Sequence, residues 1–131
     1  MIKLLLLLFL SFALFGAQIE WLESYKKAEV LSQKRQKPIY LFISAAECPW
    51  CEKMEKTTLK DPKVIKLLEE KFIPLYLVRD FDTIPSRFAV RPVPRHYVVF
   101  DQKHYFYEDL GYMPKDTFIK MLNFTLKEMK K

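Results

Sequence analysis

Both cysteines of this 131-residue chain stand in one stretch, SAAECPWCEKM, as Cys48 and Cys51. Two sulfurs at this spacing could clip a metal, staple the fold or exchange electrons. The staple is weak, because a disulfide stabilises mainly by closing a loop in the unfolded chain and this one closes almost the smallest loop available. A zinc site is short of ligands: it takes four Cys or His side chains, and the chain adds only His96 and His104, on either side of a strand and a turn. A metal-holding role still stays open, since a bare C-x-x-C serves redox and zinc sites alike. Electron exchange uses every feature of the stretch. Between a strand and a helix, unpaired N–H groups and the helix dipole favour a thiolate at Cys48, below the ~8.5 pKa of a free cysteine. Pro49 suits the first helical turn, where its missing N–H costs nothing. Cys51, one turn on and less exposed, is placed to attack a mixed disulfide formed by Cys48. Trp50 reads as a half-exposed contact for partner side chains. Glu47 would raise the neighbouring thiolate's pKa by repulsion, relay a proton, or simply be solvated.

The elements that must hold this pair are legible from periodicity. IEWLESYKKAEVLSQKRQ places Trp21, Tyr25, Ala28 and Leu31 on one stripe of an N-terminal helix, stopped by Pro38. PIYLFIS, residues 38–44, is the continuous apolar run of a central strand, and the cysteines follow it directly. CEKMEKTTL has helical composition, and Asp61 with Pro62 caps a second helix whose inward face is Val64, Leu67 and Leu68. FIPLYLV, residues 72–78, is a second buried strand, parallel to the first through a right-handed crossover. A polar connection over 79–90 carries one helical turn at 86–88. RHYVVF and YFYEDL then form a hairpin about Asp101–Lys103. After Gly111, Pro114 opens a last helix with Phe118, Leu122, Thr125, Leu126 and Met129 on one side. The order predicts an α/β fold, a central mixed sheet with helices on both faces.

The first residues, MIKLLLLLFLSFALFGAQ, run from a lysine through an apolar stretch to small Gly16 and Ala17. Residues 1–17 read as an export signal, or as a short N-terminal membrane anchor given Phe15 near the cut, and 18–131 as one domain. The folded part is expected to be periplasmic or otherwise exported. The net charge of +6 is spread over lysines interleaved with glutamates, a solvated surface that gives no reason to expect nucleic acid.

CPWC after PIYLFIS, with RPVP, YVVF and GYMPKDTFIKML downstream, resembles the thioredoxin superfamily over roughly residues 19–126. KPIYLFISAAECPWC and DPKVIKLLEEKFIPL are more closely similar to its exported, SoxW-type branch. The resemblance implies a thioredoxin fold and an exported thiol:disulfide oxidoreductase, with Cys48 attacking and Cys51 resolving. It implies a cis Val93–Pro94 bond facing the cysteines, Pro94 being preferred over Pro92, with Val93 and Pro94 aligning an extended client beside Pro49 and Trp50. Arg95 stands where threonine is usual; it points to the sulfurs and favours the thiolate, joins Arg87 and Arg91 in a basic rim, or is one of a scattered, solvated set of arginines. Phe42 replaces the buried aspartate of cytoplasmic thioredoxins, leaving Cys51 to water or Glu47 for its proton. Partners implied are client proteins with thiols or disulfides and a membrane electron donor or acceptor. No small-molecule cofactor is expected, because the electrons travel through the Cys48–Cys51 sulfurs, and the domain is expected to be a monomer. The branch resembled favours a reductase; a disulfide-donating oxidase and a non-catalytic client- or metal-binding module are the alternatives.

Overall fold

A computed structural model of the chain describes the backbone of residues 16–101 and 104–131, and the side chains of 16–100 and 107–131. The proposed signal core and the tip of the predicted hairpin lie outside these residues, as does the His104 side chain. Helix α1 is Tyr25–Arg35, strand β1 Ile39–Ser44, helix α2 Pro49–Lys56, helix α3 Pro62–Lys71, strand β2 Ile73–Val78, strand β3 Arg95–Asp101, strand β4 His104–Leu110 and helix α4 Lys115–Glu128. A 3-10 turn, Thr58–Lys60, joins α2 to α3.

The sheet runs β2-β1-β3-β4. β1 and β2 are parallel, and both other pairings are antiparallel, so the sheet is mixed. Tyr40, Phe42 and Val98 point to one face, where Cys51 and Met54 of α2, Val64 and Leu68 of α3, and Phe118 and Leu122 of α4 close over them. Ile39, Leu41, Ile43, Leu75 and Tyr97 point to the other face, under Tyr25 and Ala28 of α1. All six residues of β1 are buried, as its unbroken apolar run requires of a strand covered on both faces. Asp61 caps α3 as its residue type predicts, accepting from the N–H groups of Lys63 and Val64 at 2.9 and 3.3 Å. Pro74 sits on edge strand β2 with its nitrogen directed away from β1, where no ladder bond to the sheet is lost.

The first helix is shorter than its stripe suggests. Ser24 is its N-cap, and Trp21, expected on the helical stripe, precedes it in extended chain. Leu22 donates its N–H to Pro74 O and accepts from Tyr76 N–H, both at 2.9 Å. Residues 21 and 22 therefore straddle the β2 edge. Trp21 packs with Tyr40, Phe42 and Tyr76 on one face, and Leu22 turns to the α1 face. Backbone groups left open on the sheet edge outweigh the helical spacing of the side chains here. The connection after β2 is also less polar than its composition: Phe88 is buried against Tyr25 and Tyr97, following a turn closed by its N–H to Pro85 O at 3.0 Å.

Candidate active site

One end of the sheet collects the cysteine stretch and the segments around Pro94, Arg95 and Gly111, while His104 opens β4 at the other end. The C-terminal ends of β1 and β2, the N-terminal end of β3 and the C-terminal end of β4 lie there together, because the pairings match Ser44 with Val78, Ile43 with Arg95, and Arg95 with Leu110. The cysteine stretch follows β1 at this end. Cys48 is the N-cap of α2, extended in backbone, and its carbonyl accepts the Glu52 N–H at 3.0 Å. Pro49 is the first helical residue, as expected.

Cys48 and Cys51 are joined in a disulfide, with Cα atoms 5.2 Å apart. Cys48 is half-buried, whereas Cys51 is only 1% exposed. The Cys51 N–H donates to Cys48 Sγ at 3.1 Å. An N–H aimed at this sulfur from the first turn of a helix is a fixed partial positive charge, and it acts most strongly when the sulfur is a thiolate. The outer sulfur is thus the accessible, electrostatically favoured one, and the inner sulfur is screened.

Beside the disulfide, Trp50, Val93, Pro94, Gly111 and Tyr112 line a shallow groove of about 370 Å³. Trp50 is 58% exposed and faces Tyr112 at 6.1 Å between ring centroids. Lys53 Nζ lies 5.1 Å from the Trp50 ring centroid and 4.5 Å from that of Tyr112, bridging the two aromatic faces. The Val93–Pro94 peptide bond is cis, and so is Arg91–Pro92. Pro94 O accepts the Gly111 N–H at 2.8 Å, which ties the strand openings of the groove together. Gly111 has φ of +94°, a conformation that a side chain would strain.

Arg95 takes none of the positions expected of it. It is buried on the α1 side of the sheet, its side chain spent on three acceptors: Pro92 O at 3.0 Å from Nε, Arg91 O at 2.8 Å, and Glu108 Oε1 at 2.6 Å. Carbonyls left open by the turns before β3 capture the guanidinium, so it braces the loop that carries Val93 and Pro94. Arg95 is thereby lost from the basic rim, while Arg87 and Arg91 stay exposed, Arg87 lying on the Tyr25 hydroxyl and over the faces of Tyr25 and Phe88. Glu47 is exposed. Phe42 is fully buried in the cluster that contains Cys51, placing aromatic carbon where the resemblance would put a carboxylate.

Sequence reasoning weighed His96 only as a metal ligand. It is fully buried beside Phe42, with Nε2 2.7 Å from Gly111 O and Nδ1 2.7 Å from the Tyr40 hydroxyl. A carbonyl can only accept, so Nε2 carries the proton and Nδ1 accepts from Tyr40. Burial, only partly offset by the Gly111 carbonyl and Asp109, pushes the imidazole down to about 4. Asp80 was also missed: its Oδ2 accepts the Ala46 N–H at 2.8 Å and pins the loop that leads to Cys48. Tyr112 and Lys53 carried no local signal, but Gly111 at the end of β4 marked the place. Among the described residues no three His, Cys, Asp or Glu side chains gather as metal ligands, and no helix is long and apolar enough to cross a membrane.

Residues 13–85 match the family model Thioredox_DsbH, described as a protein of unknown function, DUF255. Spermatogenesis-associated protein 20 of Mus musculus is 29% identical over 62 residues, 47% of this chain but only 8% of that protein's length. Among solved structures, a thioredoxin from Thermus thermophilus superposes with a TM-score of 0.72 at 23% identity, covering 83% of this chain and 88% of its own. A DsbH oxidoreductase gives 0.69 at 19% identity, covering 86% and 87%. At these identities the superpositions establish the thioredoxin fold, and together with the match over residues 13–85 they place the protein: the chain belongs to the Thioredox_DsbH family of the thioredoxin superfamily.

Proposed function

We propose that this protein is an exported thiol:disulfide oxidoreductase that reduces disulfides in client proteins. The observation that carries the reading is the unequal Cys48–Cys51 pair: one sulfur reachable at a helix N-terminus, the other buried one turn behind it. In the reduced protein the Cys48 thiolate attacks a client disulfide. A Cys48–client S–S bond forms, the client's own S–S bond breaks, and one client sulfur leaves as a thiolate. Cys51 then loses its proton and attacks Cys48 Sγ, which closes the Cys48–Cys51 disulfide and expels the second client thiolate. Two electrons pass to the client, whose thiolates take up protons from solvent. The buried neighbours of Cys51 offer it no carboxylate, so water entering at the half-exposed Cys48, or Glu47, takes the proton.

The groove beside the disulfide supports a role for Trp50, Val93 and Pro94 in holding the client's chain, with exposed Pro49 next to Trp50, while Arg95 serves as a positioning residue for Val93 and Pro94. A membrane dithiol partner would return the two electrons. Export rests on the leader-like residues 1–17, and the SoxW-type kinship, with its reductive direction, rests on sequence likeness alone.

The test is Cys51→Ser, which removes the resolving sulfur. The variant should accumulate client proteins bound through Cys48 and released by dithiothreitol, and Cys48→Ser should trap none. Loss of a bound client or metal without any covalent adduct would instead identify a binding module.

A further inference from the structure

Tyr112 lines the groove and faces Trp50, and the residues on either side of it are fastened at every polar backbone atom. Gly111 donates its N–H to Pro94 O at 2.8 Å, and its carbonyl accepts from His96 Nε2 at 2.7 Å. Met113 donates its N–H to Met54 Sδ at 3.4 Å, and its carbonyl accepts from the Thr58 hydroxyl at 2.6 Å. The segment is thus tied on one side to the opening of β3 and on the other to α2 and the 3-10 turn that follows it. This is more than a surface turn requires, because Gly111 and Tyr112 are only half-buried and water serves the carbonyls of such turns. His96 and Thr58 are both buried, and the imidazole lies among the rings of Tyr40, Phe42 and Phe118. A polar group there must be desolvated, and the Tyr40 hydroxyl is spent on its second nitrogen. An apolar side chain on this face would need neither partner. A fully satisfied polar network in a core fixes one arrangement of the groups it joins, and the group fixed here is the tyrosine that faces Trp50.

We propose that His96 and Thr58 are positioning residues for client binding, which hold Tyr112 through the carbonyls of its two neighbours and so set its ring across the groove from Trp50. The proposal rests on the redox reading above and adds what favours its clients: polypeptide disulfides, whose chain lies along the groove, gain from the fixed wall. Small disulfides, which reach Cys48 without it, do not. A wall already fixed loses little freedom when a chain settles against it, whereas a loose one must be ordered at that moment. Neither residue touches the client or the reacting sulfurs in this scheme; both act through Tyr112.

The test compares rates of oxidation of the prereduced whole chain, followed by tryptophan fluorescence, with two oxidants: the disulfide-linked dimer of a short peptide with a central cysteine, and hydroxyethyl disulfide. His96→Leu leaves the Gly111 carbonyl without its donor. It should slow the peptide about fivefold, the effect of having to order one side chain on binding, and leave hydroxyethyl disulfide unchanged. His96→Gln, whose amide can donate to Gly111 O and accept from Tyr40, should restore most of the peptide rate. Tyr112→Ala should lose at least as much, and adding His96→Leu to it should slow the peptide no further, because the histidine acts through the tyrosine. Thr58→Val makes the same comparison from the other side of Tyr112 and carries the test if His96→Leu does not fold. Equal slowing of both oxidants, or losses that add in the double variant, would reduce the two residues to a structural role and overturn the proposal. An unchanged peptide rate in the variants would also overturn it while leaving the redox reading in place. If the unsubstituted chain reduces neither disulfide, the redox reading fails and the positioning role fails with it.

Discussion

Acid should unfold this protein through His96. The ring is fully buried and its protonation is pushed from 6.5 down to about 4. In the unfolded chain it takes a proton near pH 6.5, while in the folded chain it stays neutral until about pH 4. Between those values the unfolded state binds more protons, so stability falls as the pH falls. The full effect is present above about pH 6.5 and lost below about pH 4. A gap of this size corresponds to roughly 3 kcal/mol, lost at about 1.4 kcal/mol per pH unit, a large part of what holds a domain of this size together. Carboxylates titrate in the lower part of the window, so the assay is a comparison. Urea unfolding of the oxidised chain and of His96→Gln, followed by circular dichroism at half-unit steps from pH 7.5 to 4.5, isolates the histidine. The variant should be less stable at pH 7.5, because it loses a ring packed against Tyr40, Phe42 and Phe118. Its stability should then decline more slowly, and the two curves should converge toward pH 4.5. Parallel curves would refute the assignment of a neutral, buried imidazole.

Two further outcomes follow from the site. The reduction potential of the Cys48–Cys51 pair, measured by equilibration against glutathione with tryptophan fluorescence as readout, should lie at or below about −200 mV for a reductase; a value near about −120 mV would make the protein a disulfide donor. Arg95→Met keeps most of the buried length of the side chain but abandons two carbonyls and Glu108. It should cost about 2–4 kcal/mol in urea unfolding and slow oxidation by peptide disulfides more than oxidation by hydroxyethyl disulfide, through the loosened Val93–Pro94 loop. Equal effects on both oxidants would reject its role as a brace.

The redox pair and its setting were legible because their signals are local. A buried-strand run, a proline at the first helical position and two cysteines one turn apart state their arrangement within a dozen residues, and the capping Asp61 does the same. What escaped depends on residues distant in the chain. Trp21 fits a helical stripe, and only the open edge of β2 draws it into extended structure. The direction of Arg95 is decided by carbonyls that two turns leave open and by Glu108 across the hairpin, none of which spacing reveals. His96 is one of only two histidines, so a ligand search notices it first. Its hydrogen bonds to Tyr40 and Gly111 exist only once β1, β3 and β4 have paired.

The pairing at Leu22 fixes where the N-terminus leaves the domain. The bridge to Leu75 is parallel, so residues before Leu22 run back toward the beginning of β2. Gln18 and Ile19 accordingly lie beside Glu55, Leu59 and Lys60, where α2 ends, while Cys48 stands where α2 begins. The domain is therefore polar in a mechanical sense, with the first described residues at one pole and its reactive sulfur at the other. The eight residues of α2, about 12 Å of helix, separate the two. If residues 1–15 hold the protein to a bilayer, the disulfide is carried on the side turned away from the lipid. Soluble clients then have open access, and a membrane partner must reach up to meet it.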